Sequence, residues 1–117
     1  MYLDKHWFKL TMKDSSIDKS TVANQIDSSL LTALVLNPIF GIPDIKKDPR
    51  IDFVGGMRGH KELEKRCSED CVVAFAMHPV EIDELIKVAD AGEIMPPKST
   101  WFEPKPRSGF VVRRFQD

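Results

Sequence analysis

Cys71-Val72-Val73-Ala74-Phe75-Ala76-Met77-His78-Pro79-Val80-Glu81-Ile82-Asp83-Glu84-Leu85-Ile86-Lys87-Val88-Ala89-Asp90-Ala91-Gly92 is the stretch on which the fold turns. Cys71 to Met77 is almost entirely apolar, the pattern of a central strand buried on both faces. From Val80 to Ala91 the spacing becomes helical. Ile82, Leu85, Ile86 and Ala89 fall on one stripe, and Glu81, Asp83, Glu84 and Asp90 face water. Pro79 suits the first turn, the early acids favour the positive end of the helix dipole, and Gly92 supplies the stop. A buried strand feeding an amphipathic helix is a unit of a layered sheet-and-helix domain.

Working outward, Ile51-Asp52-Phe53-Val54 reads as a short strand that runs into Gly55-Gly56-Met57-Arg58-Gly59. A short helix follows from His60 to Cys67, with Leu63 facing inward. Asp27 is a helix N-cap candidate, because its carboxylate can accept from first-turn amides. Leu30, Leu31, Leu34 and Val35 continue with helical spacing until Pro38, which biases Asn37 away from the α region and stops the helix. Gly41 to Pro49 has the proline and charge content of a loop, and the polar Lys13 to Gln25 reads as a mobile connector. At the start, Tyr2 to Leu10 reads as two strands around a tight Asp4-Lys5 turn, and at the end Gly109 to Phe115 reads as the last strand.

The expected order is therefore hairpin-α-β-α-β-α-β. It predicts an α+β domain with a small mixed sheet and helices packed mainly on one face. Residues 1–117 form a single domain, since the 117-residue chain has no room for two cores. The upstream hairpin strand is only about three residues long, against a usual length of roughly five, so the expectation is a C-terminal piece of a longer protein.

Composition narrows the function classes. Lysine plus arginine nearly balance aspartate plus glutamate, leaving a net charge of -1, so no overall field exists to capture nucleic acid or an acidic membrane. No run approaches the roughly 20 apolar residues needed to cross a bilayer, and the N-terminus lacks the pattern of a secretory signal. With only Cys67 and Cys71, a disulfide framework is not expected and a reducing cytoplasm is the expected compartment.

The distinctive stretch Val88-Ala89-Asp90-Ala91-Gly92-Glu93-Ile94-Met95-Pro96-Pro97-Lys98-Ser99-Thr100-Trp101-Phe102-Glu103-Pro104-Lys105, with Arg50-Ile51-Asp52-Phe53-Val54-Gly55-Gly56, resembles the C-terminal region of the uncharacterised DUF1015 family. The resemblance runs from the Tyr2 hairpin to Phe110 and is strongest over the last thirty residues or so. It implies a bacterial or archaeal parent several times longer, with this region at its C-terminal end. The family is loosely associated with serine metabolism, which assigns no mechanism to this region. Two positions depart from the family pattern. Lys5 stands where glycine is usual in the hairpin turn, and His78 stands where an aromatic residue is usual, which argues against a family-wide role for His78.

The most informative candidate site is Lys98 to Ser108. Lys98, Lys105 and Arg107 suit phosphate or carboxylate oxygens, Ser99 and Thr100 supply hydroxyl donors, Trp101 and Phe102 offer stacking faces, and Glu103 is an acid beside them. Pro96, Pro97, Pro104 and Pro106 stiffen the segment, which lowers the cost of ordering it around a ligand. The plainer reading is a rigid connector with solvated charges. Gly55, Gly56 and Gly59 form a second candidate, a turn exposing backbone amides to an anion with Arg58 adding charge. It has neither the P-loop nor the dinucleotide fingerprint, so no cofactor is assigned. Glycines serve ordinary turns equally well.

His60, Cys67, Cys71 and His78 invite a zinc reading, which spacing disfavours. His60 and Cys67 lie on the order of 10 Å apart along a helix. Cys71 and His78 lie on the order of 20 Å apart along a strand. Asp52 and Glu103 are candidate general bases, although a lone carboxylate more often pairs with a cation. Two functions stay open. One is part of a larger enzyme that binds a small phosphorylated or carboxylated metabolite. The other is a non-catalytic docking module that packs on the remainder of the parent protein through its proline-rich loop.

Overall fold

The computed structural model describes residues 1–100. The N-terminal hairpin pairs β1 (Tyr2–Leu3) with β2 (His6–Trp7), matching Tyr2 with Trp7 and Leu3 with His6. Met1 and Phe8 extend the ladder, the Phe8 amide donating to the Met1 carbonyl at 2.7 Å and the Met1 ammonium to the Phe8 carbonyl at 2.8 Å. The turn needs a left-handed backbone at both central residues, Asp4 at φ 49° and Lys5 at φ 63°. That geometry matches the twist of the flanking strands, at a steric cost to any residue with a Cβ.

β1 also pairs antiparallel with β3 (Val73–Ala74), giving the sheet order β2-β1-β3. The fold is α+β, and the three strands of the described residues pair antiparallel. The apolar run Cys71 to Met77 is not a central strand buried on both faces. Only Val73–Ala74 is paired, Ala74 is buried, and Val72 is 82% exposed. Neighbouring side chains on a strand point to opposite faces, and only one face is covered here. The cover is α3 (Gly59–Glu69), which packs on β1 and β3. The Trp7 indole lies 5.0 Å from the Tyr2 ring and 4.9 Å from the His60 ring, and its N–H donates to Glu64 Oε1 at 2.7 Å. His60 and Glu64 are one helical turn apart, so a single side chain of the hairpin grips one face of α3.

The long central helix also departs from expectation. It opens as α1 (Asp27–Leu31), with Ile26 at the cap position and Asp27 inside the first turn, where its charge faces the positive end of the dipole. It does not stop before Pro38. A π-turn over Thr32–Leu36 leads into α2 (Asn37–Phe40), with Asn37 at φ -70° and ψ -58°. The π-turn lets the Asn37 amide reach the Thr32 carbonyl, so the chain resets its bonding just before the residue that has no N–H to donate. Gly41, at φ 63°, ends the helix, and its amide bonds back to Asn37 at 3.0 Å. Arg50 completes the cap by donating to the Phe40 and Gly41 carbonyls while it chelates Asp48 at 2.6 and 2.9 Å.

Ile51 to Val54 forms no strand. It is tied down by side chains at each end, Arg50 on the α2 cap and Asp52 on Arg66. Lys13 to Gln25 is not featureless either. It contains 3-10 turns at Asp14–Ser16 and Ala23–Gln25. The second is capped from far along the chain, where Glu93 accepts from the Val22 and Ala23 amides at 3.2 and 2.7 Å.

α4 (Ile82–Asp90) starts two residues later than Pro79 and Val80 suggested and ends where Gly92 stops it. Glu81 is the cap and forms a reciprocal capping box with Glu84. Gly92 at φ 68° closes the other end, with the Gly92 amide on Ala89 and the Glu93 amide on Val88. The stripe that points inward is not the expected one. Val88 is 1% exposed, whereas Ile82 and Ile86 are 63% and 47% exposed. Apolar residues span so wide an arc of α4 that the pattern alone leaves its rotation undecided. The buried core of the described residues is Ile26, Leu30, Ile42, Ala74 and Val88, and Phe40 meets Phe75 edge-on at 6.4 Å. The expected last strand, Gly109 to Phe115, lies outside the described residues.

The strained turn yields a test. Lys5→Gly removes a left-handed penalty of about 1–2 kcal/mol and adds unfolded-state freedom worth about 0.5–1 kcal/mol. The variant is expected to be more stable by about 0.5–1 kcal/mol in urea unfolding, whereas an unchanged or lower midpoint would mean that the turn carries no strain.

Candidate functional site

The glycine-rich loop is built by two requirements of the backbone. Gly56–Arg58 forms a 3-10 turn closed by the Arg58 amide on the Gly55 carbonyl at 3.0 Å. Gly59 then adopts φ 68° and ψ -174°, a conformation open to glycine and little else, as the chain enters α3. No side chain caps the N-terminus of α3 among the described residues, so its first turn presents backbone donors and the positive end of the dipole. Arg58 stands at this end and reaches Glu62 Oε1 at 3.8 Å, which offsets much of its charge.

The Lys98 ammonium sits 6.0 Å from the centroid of the Phe53 ring, two residues before the glycine loop, in cation–π geometry. The first residue of the proline-rich candidate therefore lies over Phe53, which precedes the second candidate in the chain. Lys98 itself has a left-handed backbone, φ 60°. Ser99 turns inward on its own chain, its hydroxyl donating to the Pro96 carbonyl at 2.6 Å, which leaves only acceptor capacity for a ligand. Thr100 is exposed. Trp101, Glu103, Lys105 and Arg107 lie outside the described residues.

Behind the glycine loop Arg66 organises the acids. It donates to Asp52 Oδ2 at 2.7 Å and to both Asp70 oxygens at 2.7 and 2.9 Å. The Arg66 hydrogen bond is the largest cause holding the Asp52 carboxyl below its usual range, with the Phe53 amide next. Asp70 is lowered chiefly by the same guanidinium. A carboxylate held this way is a weaker proton acceptor than a free one, and its bond to Arg66 anchors the start of the loop.

The histidine and cysteine series separates. His60 stacks near Trp7, and His78 approaches the Pro79 carbonyl through Nδ1 at 2.9 Å. Cys67 and Cys71 do meet, with Sγ atoms 3.9 Å apart. Their i, i+4 spacing at a helix end is the signal that marks this pair. Burial, with the Cys67 sulfur next, pushes the Cys71 thiol up to about 11. Among the described residues no three His, Cys, Asp or Glu side chains gather as a metal site.

Two surface hollows lie elsewhere. One, of about 320 Å³, is lined by Ile26, Asp27, His78, Pro79, Val80, Glu81 and Glu84. The other, of about 360 Å³, runs between α1 and the Ile94 to Pro97 segment. Neither includes the glycine loop or Lys98.

The Arg66 node predicts an acid response. Because the folded-state carboxyls of Asp52 and Asp70 lie below their unfolded values, the stabilisation is complete above about pH 4 and is lost as pH falls through the folded values. Arg66→Met is expected to lower stability at neutral pH and to flatten the decline between neutral and acid pH. An unchanged pH slope in denaturant titrations of the variant would show that the node does not couple folding to protons.

No family model matches the chain, no curated protein is detectably similar to it, and no solved structure matches its fold.

Proposed function

We propose that this chain is a non-catalytic docking module that packs against the remainder of a longer parent protein, in line with its DUF1015-like sequence. The observation that carries this reading is the distribution of its apolar side chains. Among the described residues only Ile26, Leu30, Ile42, Ala74 and Val88 form a buried hydrophobic core, while Trp7, Phe8, Leu10, Ile39, Phe40, Phe53, Met57, Val72, Met77, Ile82, Ile86 and Ile94 are all exposed. Single exposed apolar residues are common on protein surfaces, but an exposed set that outnumbers the core is the mark of a surface that another polypeptide covers. Ile82 and Ile86 are the clearest case, since they lie one turn apart on a helix whose ends are fully capped. No helix of the described residues is long and apolar enough to cross a membrane.

A second reading is supported by the placement of Lys98 over Phe53, two residues before the glycine loop, and by the uncapped start of α3. In it the same domain contributes Arg58 and Lys98 to the recognition of a small phosphorylated or carboxylated metabolite, as part of an enzyme whose chemistry lies largely elsewhere. The pairing of Arg58 with Glu62 ranks it second.

Sedimentation and an amide-resolved titration separate the two. Docking predicts concentration-dependent self-association of the isolated chain, and predicts that Ile82→Lys with Ile86→Lys reduces it at least tenfold without loss of helical circular dichroism. A chain that stays monomeric to millimolar concentration would overturn docking through this face. Saturable shifts at Gly55 to Gly59 and Lys98 on addition of phosphate, phosphoserine, ADP or ATP would support the anion reading, and no shifts at millimolar ligand would remove it.

A further inference from the structure

We propose that Cys67 and Cys71 form a dithiol modification site that low-molecular-weight disulfides oxidise to an intramolecular disulfide, fastening the C-terminal end of α3 to the segment that enters β3. Position is the first argument. Cys67 lies in the last turns of α3, and the chain leaves the helix at Asp70 with φ -141° and ψ -2°. The Cys71 amide nevertheless still reaches back to the Arg66 carbonyl at 3.0 Å, which keeps Cys71 against the final turn. The two sulfurs are already 3.9 Å apart. A disulfide needs about 2.05 Å, so forming the bond must draw the two sulfurs closer by roughly 2 Å.

Isolation is the second argument. These are the only cysteines in the chain, so no other internal thiol competes for either sulfur. Both are partly accessible.

The roles of the two sulfurs follow from the hydrogen bond. Cys71 donates to the Cys67 sulfur and burial keeps its own proton on, which leaves Cys67 as the sulfur to attack first. Cys67 therefore attacks one sulfur of the small disulfide. Its S–S bond breaks, a mixed disulfide forms on Cys67, and the first small thiolate leaves and takes up a proton. The Cys71 thiol then loses its proton and attacks the Cys67 sulfur, expelling the second small thiolate. Two protein thiols are oxidised, one small disulfide is reduced to two small thiols, and both electrons are accounted for. Blocking Cys67 removes the neighbouring sulfur charge that opposes ionisation of Cys71, which assists the second step.

The experiment uses the whole 117-residue chain, incubated with glutathione disulfide and followed by mass spectrometry and thiol titration. The expected result is loss of both titratable thiols, a monomeric product without retained glutathione, and full reversal by dithiothreitol. Cys71→Ser is expected to accumulate the mixed disulfide on Cys67, and Cys67→Ser to react at least tenfold more slowly. Circular dichroism of each variant confirms that it is folded. A wild-type product that stops at the mixed disulfide, a disulfide-linked dimer, or two thiols that stay reduced would each overturn the proposal.

Discussion

A chain of this size must bury enough apolar surface to offset the ordering of its backbone, at roughly 1–2 kcal/mol per residue. Five small or medium side chains form the buried hydrophobic core of the described residues. That scarcity governs how the rest is built. Elements that a larger core would hold by packing are here held by single side chains that reach across the fold. Trp7 ties the hairpin to α3, Arg50 ties the loop after α2 to that helix's last carbonyls, and Glu93 ties the end of α4 to the turn before α1.

Most of these ties are charged and partly exposed, so each is worth less than its geometry suggests, because water and salt screen it. Their value is in register more than in energy. Arg66 illustrates this. It places Asp52 against α3 and so sets where the glycine loop begins, which in turn sets the entry of α3 and the position of Arg58. The local conformation of the loop then depends on one glycine, Gly59, whose backbone angles no residue with a Cβ adopts easily.

The proposed docking role and the proposed dithiol meet at the same seam. β3 lies beside the exposed Val72, and Cys71 immediately precedes it. A covalent fastening between α3 and this segment would stiffen a region in which the sheet contributes only two residues per strand. The glycine loop at the start of α3 lies at the opposite end of the same helix.

Sequence by itself determined the features whose physics is local. The hairpin turn, the presence of α3 and the Gly92 stop of α4 depend on neighbours within a few residues, whereas the start of α4 lies two residues later than its proline suggested, at a Glu81–Glu84 capping box. Tertiary structure decided the rest. Pro38 does not break its helix because a π-turn upstream resets the bonding, a solution that packing selects and sequence does not declare. Ile51 to Val54 has strand-forming residues but finds side-chain ties where a strand would need a ladder partner. The rotation of α4 was undecided because its apolar residues cover so wide an arc, and only the placement of Val88 in the core fixed it. The approach of Lys98 to Phe53 and the meeting of the two thiols depend on the path of the chain between them, which no local spacing rule contains.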